Sequence, residues 1–189
     1  EFLHNYQGKN YDRTDYSTGV FGEYTYDNTD NFALVLGLRA DYSNQLDFFL
    51  TPRMHLRYNP WKDAVLRVSA GRGKRLANIF AENQNLLASS RNFLVHAQND
   101  ENYGLAPEIA WNYGISLMQR FYLFDRRGDV TVDFYRTDFD NQIVVDIDQS
   151  AREVAFYNLD GKSYANSLQV EVNYNLLKHL NLRAAYKYY

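Results

Sequence analysis

The sequence predicts an all-β fold in which about eight antiparallel, meandering strands form the wall of a transmembrane β-barrel with long external loops. Three observations predict it. Apolar and polar residues alternate with a period of two in eight segments along the 189 residues, and such a period puts the two sets on opposite faces of strands. The apolar positions end in aromatics, and the chain holds 17 tyrosines, a side chain at home where an apolar medium meets water. Short and long connections alternate between the segments, the short second connection at 43–47 being the one exception, as in barrels with tight turns at one rim and long loops at the other.

The first strand sets Val20, Gly22, Tyr24 and Tyr26 against Phe21, Glu23 and Thr25. The second is the clearest: Phe32, Leu34, Leu36, Leu38, Ala40 and Tyr42 oppose Ala33, Val35, Gly37, Arg39, Asp41 and Ser43. Next come Leu50, Pro52, Met54, Leu56 and Tyr58 against Thr51, Arg53, His55 and Arg57, then Leu66, Val68 and Ala70 against Arg67, Ser69 and Gly71. Pro52 removes a ladder donor from a strand interior, so a rim or bulge is expected there. Trp111, Tyr113, Ile115 and Leu117 oppose Asn112, Gly114, Ser116 and Met118, and Val130, Val132 and Phe134 oppose Thr131, Asp133 and Tyr135. The last two strands set Leu168, Val170, Val172 and Tyr174 against Gln169, Glu171 and Asn173, and Leu182, Ala184, Tyr186 and Tyr188 against Arg183 and Lys187.

Charges in the central stretches all lie on one parity. Arg72 and Arg136 break the rule where their strands leave the apolar zone. A strand of about 11 residues rising ~3.3 Å each and tilted ~40° spans roughly 28 Å, close to a hydrocarbon core. Turn-like connections are expected at 27–31, 43–47, 59–63, 125–129 and 175–179, and long ones at 74–107 and 141–163. The first long segment exceeds a bare connector, so a short helix near 83–91 folding over the barrel mouth is expected. Turn residues such as Asp30 and Trp61 then lie on the periplasmic side, and the long segments outside.

Composition narrows the function. With 20 basic and 23 acidic residues the net charge is −3, so a nucleic-acid partner is not expected. The absence of cysteine removes disulfides, thiolate chemistry and Cys-ligated metals. No apolar run approaches the ~20 residues of a membrane helix. No nucleophile elbow or phosphate-cradling glycine loop occurs, so no catalytic residue, enzyme activity or cofactor is expected. His4, His55, His96 and His179 are scattered without a zinc spacing. Asp138, Asp140, Asp146 and Asp148 alternate as calcium ligands do, but lack the EF-hand glycine and glutamate. They read as a strand-to-loop transition, and no metal site is expected.

Four residues at the outer rim and loop carry the candidate ligand chemistry. Arg72, Lys74 and Arg75 form a basic cluster, able to grip the carboxylate or phosphate of an anionic ligand or of lipopolysaccharide. His96 lies in the long external segment, where an imidazole suits a metal-bearing ligand.

Several stretches resemble the TonB-dependent outer-membrane receptors, particularly those of Bacteroidetes-type bacteria. Pro52-Arg-Met-His-Leu-Arg-Tyr58, Leu66-Arg-Val-Ser-Ala-Gly-Arg-Gly-Lys-Arg75 and Ala81-Glu-Asn83 are similar to that family's barrel strand, glycine–arginine rim and following loop. Leu105-Ala-Pro-Glu-Ile-Ala-Trp-Asn-Tyr-Gly114 resembles the segment that re-enters the barrel, and Tyr135–Ile143 and Tyr164–Leu168 look like later strands. The resemblance runs from about Gly19 onward. It implies a portion of a 22-stranded barrel, here residues 1–189 as a single partial domain from the C-terminal half, without plug domain or TonB-contacting segment. It implies a receptor that binds a scarce ligand (siderophore, cobalamin, heme, metal complex or glycan) outside and imports it. Its implied partners are outer-membrane lipid, lipopolysaccharide and, through the absent plug, TonB, and its implied location is the Gram-negative outer membrane. Arg39, Arg53, Arg57 and Arg67 would then line the lumen and pair with Asp41, Glu171 or the plug. Two other readings remain: a self-contained eight-stranded outer-membrane barrel, whose first and last strands would pair, and a soluble β glycan-binding module or hydrolase, whose apolar rows would meet across a dry interior.

Overall fold

The structure is a computed structural model that describes residues 5–6, 9–10, 12–97 and 102–189; His4 lies outside the described residues. In chain order the strands are β1 (Asn5–Tyr6), β2 (Lys9–Asn10), β3 (Ser17–Asp27), β4 (Phe32–Ser43), β5 (Asp47–Tyr58), β6 (Ala64–Arg75), β7 (Asn92–Val95), β8 (Glu108–Leu123), β9 (Arg126–Asn141), β10 (Ile143–Asp146), β11 (Glu153–Asn158), β12 (Ser163–Leu177) and β13 (Leu180–Tyr188). Two one-turn helices, α1 (Ile79–Glu82) and α2 (Gln84–Leu87), precede β7. Eight long strands form one antiparallel sheet in the order β13-β12-β9-β8-β6-β5-β4-β3.

The register aligns the apolar parities of all eight strands. One row runs Tyr26, Leu34, Leu56, Val68, Ile115, Phe134, Leu168 and Tyr188, each directly opposite the next. A one-residue slip in any strand would turn its apolar set to the other face. This face is bare. Leu38 is 51%, Ile115 46% and Tyr186 64% exposed, so the apolar rows do not meet across a protein interior as the soluble reading required.

The polar face carries Arg57 and Arg67 opposite each other, continuing through Ser116 and Asp133 to Gln169 and Lys187. Large side chains crowd this face, and Gly114 gives them room. A Cβ there would come within 2.6 Å of the Tyr135 ring and of Ser69 Oγ. Gly114→Val is therefore expected to displace the ring and cost about 1–3 kcal/mol, read as a lower temperature for loss of the heat-modifiable folded band.

β3 and β13 stand at opposite ends of the sheet and do not pair. The sheet is open, which overturns the self-contained eight-stranded barrel. Both outer strands are exposed along their whole length, leaving backbone donors and acceptors free for further strands.

Three local expectations are corrected. The expected helix at 83–91 starts earlier and is split at Asn83, because the Asn78 side chain caps the first turn by accepting from Ala81 N–H at 3.0 Å. Glu82 Oε1 answers by accepting from Asn78 N–H at 3.0 Å. The turn expected at 125–129 is a two-residue hairpin of Phe124 and Asp125, both with positive φ (49° and 56°), as a type I′ turn requires. Gly128 belongs to β9, where a Cβ would come within 2.5 Å of the Phe121 ring. Pro52 is neither at a rim nor in a bulge; it pairs with Leu38 inside β5. The β5–β6 ladder stops one residue short of it, at Arg53–Gly71, so no ladder on that side needs its missing donor.

The long connections, 76–107 and 142–162, hold most of the buried apolar residues. β7 of the first pairs in parallel with β11 of the second, and β10 completes a small sheet. Its core contains Ala77, Ile79, Phe80, Phe93, Leu105, Ile143, Val154 and Phe156. The Phe93 ring lies 5.2 Å from Phe156 and 5.9 Å from Phe80. Asn158 clips the loops together, donating to Ala106 O at 3.0 Å and accepting from Ala106 N–H at 2.8 Å.

Candidate functional site

The loop sheet sits at the end of the wall where β6, β8, β9 and β12 turn over, and the four candidate residues lie there in three different settings. Arg75 ends β6 opposite Glu108, the first residue of β8. Its Nε donates to Glu108 at 2.6 Å and its Nη2 to Glu82 at 3.2 Å. Glu108 also accepts from Ile143 N–H at 3.1 Å. Arg75 thus ties both long loops to the wall. Because its side chain is 61% exposed, each ion pair contributes at most about 1 kcal/mol. Arg75→Gln is expected to leave the wall intact and to raise protease cleavage within 76–107 and 142–162 several-fold.

Lys74 crosses from β6 to the β4–β5 turn. Its Nζ donates to Leu46 O at 2.9 Å and lies 5.3 Å from the Phe49 ring centre. Arg72, opposite Trp111 on the apolar parity, has no hydrogen-bond or ion-pair partner among the described residues. His96 follows β7, donating its N–H to Phe156 O at 2.9 Å. Its ring stands edge-on to Tyr157 at 6.4 Å, and Tyr157 Oη donates to Asp146 at 3.4 Å. The structure therefore places His96 with Tyr157 and Asp146 on the small sheet, and not in one cluster with the three basic residues.

Sequence reading missed Tyr157 as the companion of His96, since a parallel pairing between two loops leaves no periodic signal. It also missed Tyr103, which Arg13 approaches to 4.9 Å from the ring centre; burial pushes the Tyr103 phenol above its ordinary pKa. Asp138 is held by Arg136 at 2.6 Å, and Asp146 accepts from the N–H groups of Asp148 and Gln149. Among the described residues no three His, Cys, Asp or Glu side chains gather as metal ligands.

On the polar face Arg39 pairs with Asp41 at 2.7 Å, as expected, but Arg53 pairs with Glu23 at 2.6 Å and Glu171 takes Arg183 at 2.7 Å. Arg57 and Arg67 have neither Asp41 nor Glu171, and no other carboxylate among the described residues pairs with them. Like charges directly opposite each other repel, so this pair favours an anionic group from outside the described wall.

The family profile described as TonB dependent receptor-like, beta-barrel, matches residues 3–189. No curated protein sequence matches. Among solved structures, the ferric enterobactin receptor PfeA of Pseudomonas aeruginosa, in complex with BCV-L6, is similar with a TM-score of 0.65 at 14% identity, covering 94% of this chain and 28% of that one. The siderophore receptor PirA of Acinetobacter baumannii gives a TM-score of 0.65 at 12% identity, with 92% and 27% covered. The copper transporter OprC gives 0.65 at 13% identity, with 92% and 30% covered. At such identities the likeness speaks for the fold, and the chain spans less than a third of each of these structures. With the bare apolar rows, the open antiparallel meander and the match over almost its entire length, the chain belongs to the TonB-dependent receptor β-barrel family.

Proposed function

We propose that residues 1–189 are one partial domain, a stretch of wall from a larger barrel in the Gram-negative outer membrane. In the full-length receptor this barrel surrounds a plug and imports a scarce ligand, a siderophore, cobalamin, metal complex or glycan, with energy delivered through TonB. The observation that carries this reading is the eight-stranded open sheet whose apolar rows are bare on one side and whose polar side holds ion pairs. An acyl-chain environment suits the first side and a watery lumen the second. Arg57 and Arg67 face the plug, whose carboxylates supply the missing counter-charge. The two clasped loops form the outer rim that meets the ligand, His96 and Tyr157 contacting it and Arg75 holding the loops in place. A chain with this role is an importer component and not an enzyme.

The test is uptake by the full-length receptor in cells lacking the endogenous gene. Radiolabelled ferric enterobactin, cobalamin and copper(II) serve as probes, with and without a protonophore. Energy-dependent accumulation of one of them is expected, reduced about tenfold or more when 142–162 is replaced by a short turn. Accumulation of a probe that persists unchanged under the protonophore would overturn the energy-coupled reading.

A further inference from the structure

From the break between β5 and β6, we infer that the wall holds a binding site for the phosphate of an outer-leaflet lipid, gripped by Arg72. The site rests on the reading that these strands cross the outer membrane. β4–β5 and β6–β8 each pair along the whole length of β4, β5 and β6, whereas β5 and β6 pair only from Tyr58–Leu66 to Arg53–Gly71. Beyond that point Pro52 has no N–H to offer, and Gly71 and Gly73 have no side chains to fill the gap. A cavity of about 310 Å³ opens there. Leu38, Pro52 and Arg72 line it from the apolar parity, and Arg39, Arg53 and Gly71 from the polar one. The cavity thus borders residues of both parities beside the unpaired ends of β5 and β6.

Charge selects an anion. Arg39 and Arg53 are neutralised by Asp41 and Glu23. Arg72 has no carboxylate partner among the described residues. Arg72 is thus the cation at this cavity without a counter-ion. Position selects a lipid. Outward residues of β6 run Leu66, Val68, Ala70 and then Arg72, so Arg72 is the first charge beyond the apolar band. Trp111 lies directly opposite it, at the level where aromatic rings mark the headgroup boundary. Leu38, 51% exposed, continues the apolar surface beside the cavity and suits an acyl chain. A guanidinium binds phosphate through two parallel hydrogen bonds.

The experiment uses the full-length receptor, purified in detergent and verified as folded by heat-modifiable gel mobility. Native mass spectrometry follows titration with bis-phosphorylated lipid A, with dephosphorylated lipid A and with inorganic phosphate. The wild type is expected to retain lipid A, Arg72→Gln to bind it about tenfold more weakly or worse, and Arg72→Lys to recover part of the loss. Dephosphorylated lipid A is expected to bind weakly, and inorganic phosphate not at all at millimolar concentration. Undiminished lipid A binding by Arg72→Gln overturns the site, as does equal binding of dephosphorylated lipid A. Equal binding of inorganic phosphate makes it a free-anion site and overturns the lipid assignment. Loss of ligand uptake in Arg72→Gln with lipid A still bound moves Arg72 to the imported ligand. Binding is read on the folded barrel in detergent, so failure of the wild type to import any probe leaves this outcome legible.

Discussion

Replacing Ile115 with arginine is expected to prevent stable assembly of the barrel, at a cost of about 2–4 kcal/mol for a cation at the lipid-facing midplane. Ile115 stands in the row that crosses all eight strands, between Val68 and Phe134, and nothing in the sheet covers it. In a protein whose apolar rows packed on each other, a similar loss would arise from disrupted contacts. The discriminating control is on the opposite parity. Gln169 lies between Asp133 and Lys187, so Gln169→Arg places a cation beside one carboxylate and one ammonium in a wet lumen, where attraction and repulsion offset, and is expected to change stability by less than about 1 kcal/mol. The measurement is the folded fraction in lipid vesicles, by heat-modifiable mobility, across a urea series. Equal losses from both variants would falsify the assignment of faces; equal tolerance would mean that the Ile115 face meets water.

The wall was legible in the sequence because every wall strand has one face toward an apolar medium and one toward water, and that asymmetry writes a period of two into the residues. Val35, Arg39 and Asp41 against Leu34, Leu38 and Tyr42 needed no partner to be assigned to faces. The turns were less legible. At Phe124 and Asp125 the left-handed backbone is imposed by the twist of the two flanking strands, and a phenylalanine there gives no local warning. Gly128 invited a turn, but its small size serves the neighbouring Phe121 ring. Pro52 misled in the same way, since whether a missing donor matters depends on where β6 departs, and that departure lies in another segment.

The candidate site was legible only as a list of suitable side chains. Arg72, Lys74 and Arg75 are near neighbours in sequence, yet Arg72 lies opposite Trp111, Lys74 reaches a neighbouring turn and Arg75 a pair of carboxylates. Their division follows from alternation together with contacts to Leu46, Glu82 and Glu108, which lie up to 33 residues away. His96 and Tyr157 meet because β7 and β11 pair in parallel. Parallel pairing joins segments from different loops, and no local pattern announces it.

Phe156→Ala is expected to unfold the loop sheet while leaving the wall assembled. Phe156 is fully buried, with Phe93 at 5.2 Å, and its truncation is expected to cost about 3–5 kcal/mol. The loop sheet has three short strands and a core of eight buried side chains, a size at which such a loss approaches the whole local stability. The wall strands share none of that core: their stability in a bilayer derives from ladder hydrogen bonds and lipid contact. Two readouts should therefore separate. Heat-modifiable mobility should stay at the wild-type value, while protease cleavage within 142–162 rises by an order of magnitude or more and ligand affinity falls with it. Phe124→Ala, at a side chain 86% exposed in the β8–β9 turn, should change neither. Loss of the folded barrel in Phe156→Ala would mean that loops and wall form one cooperative unit, and the rim could then not loosen without the barrel coming apart.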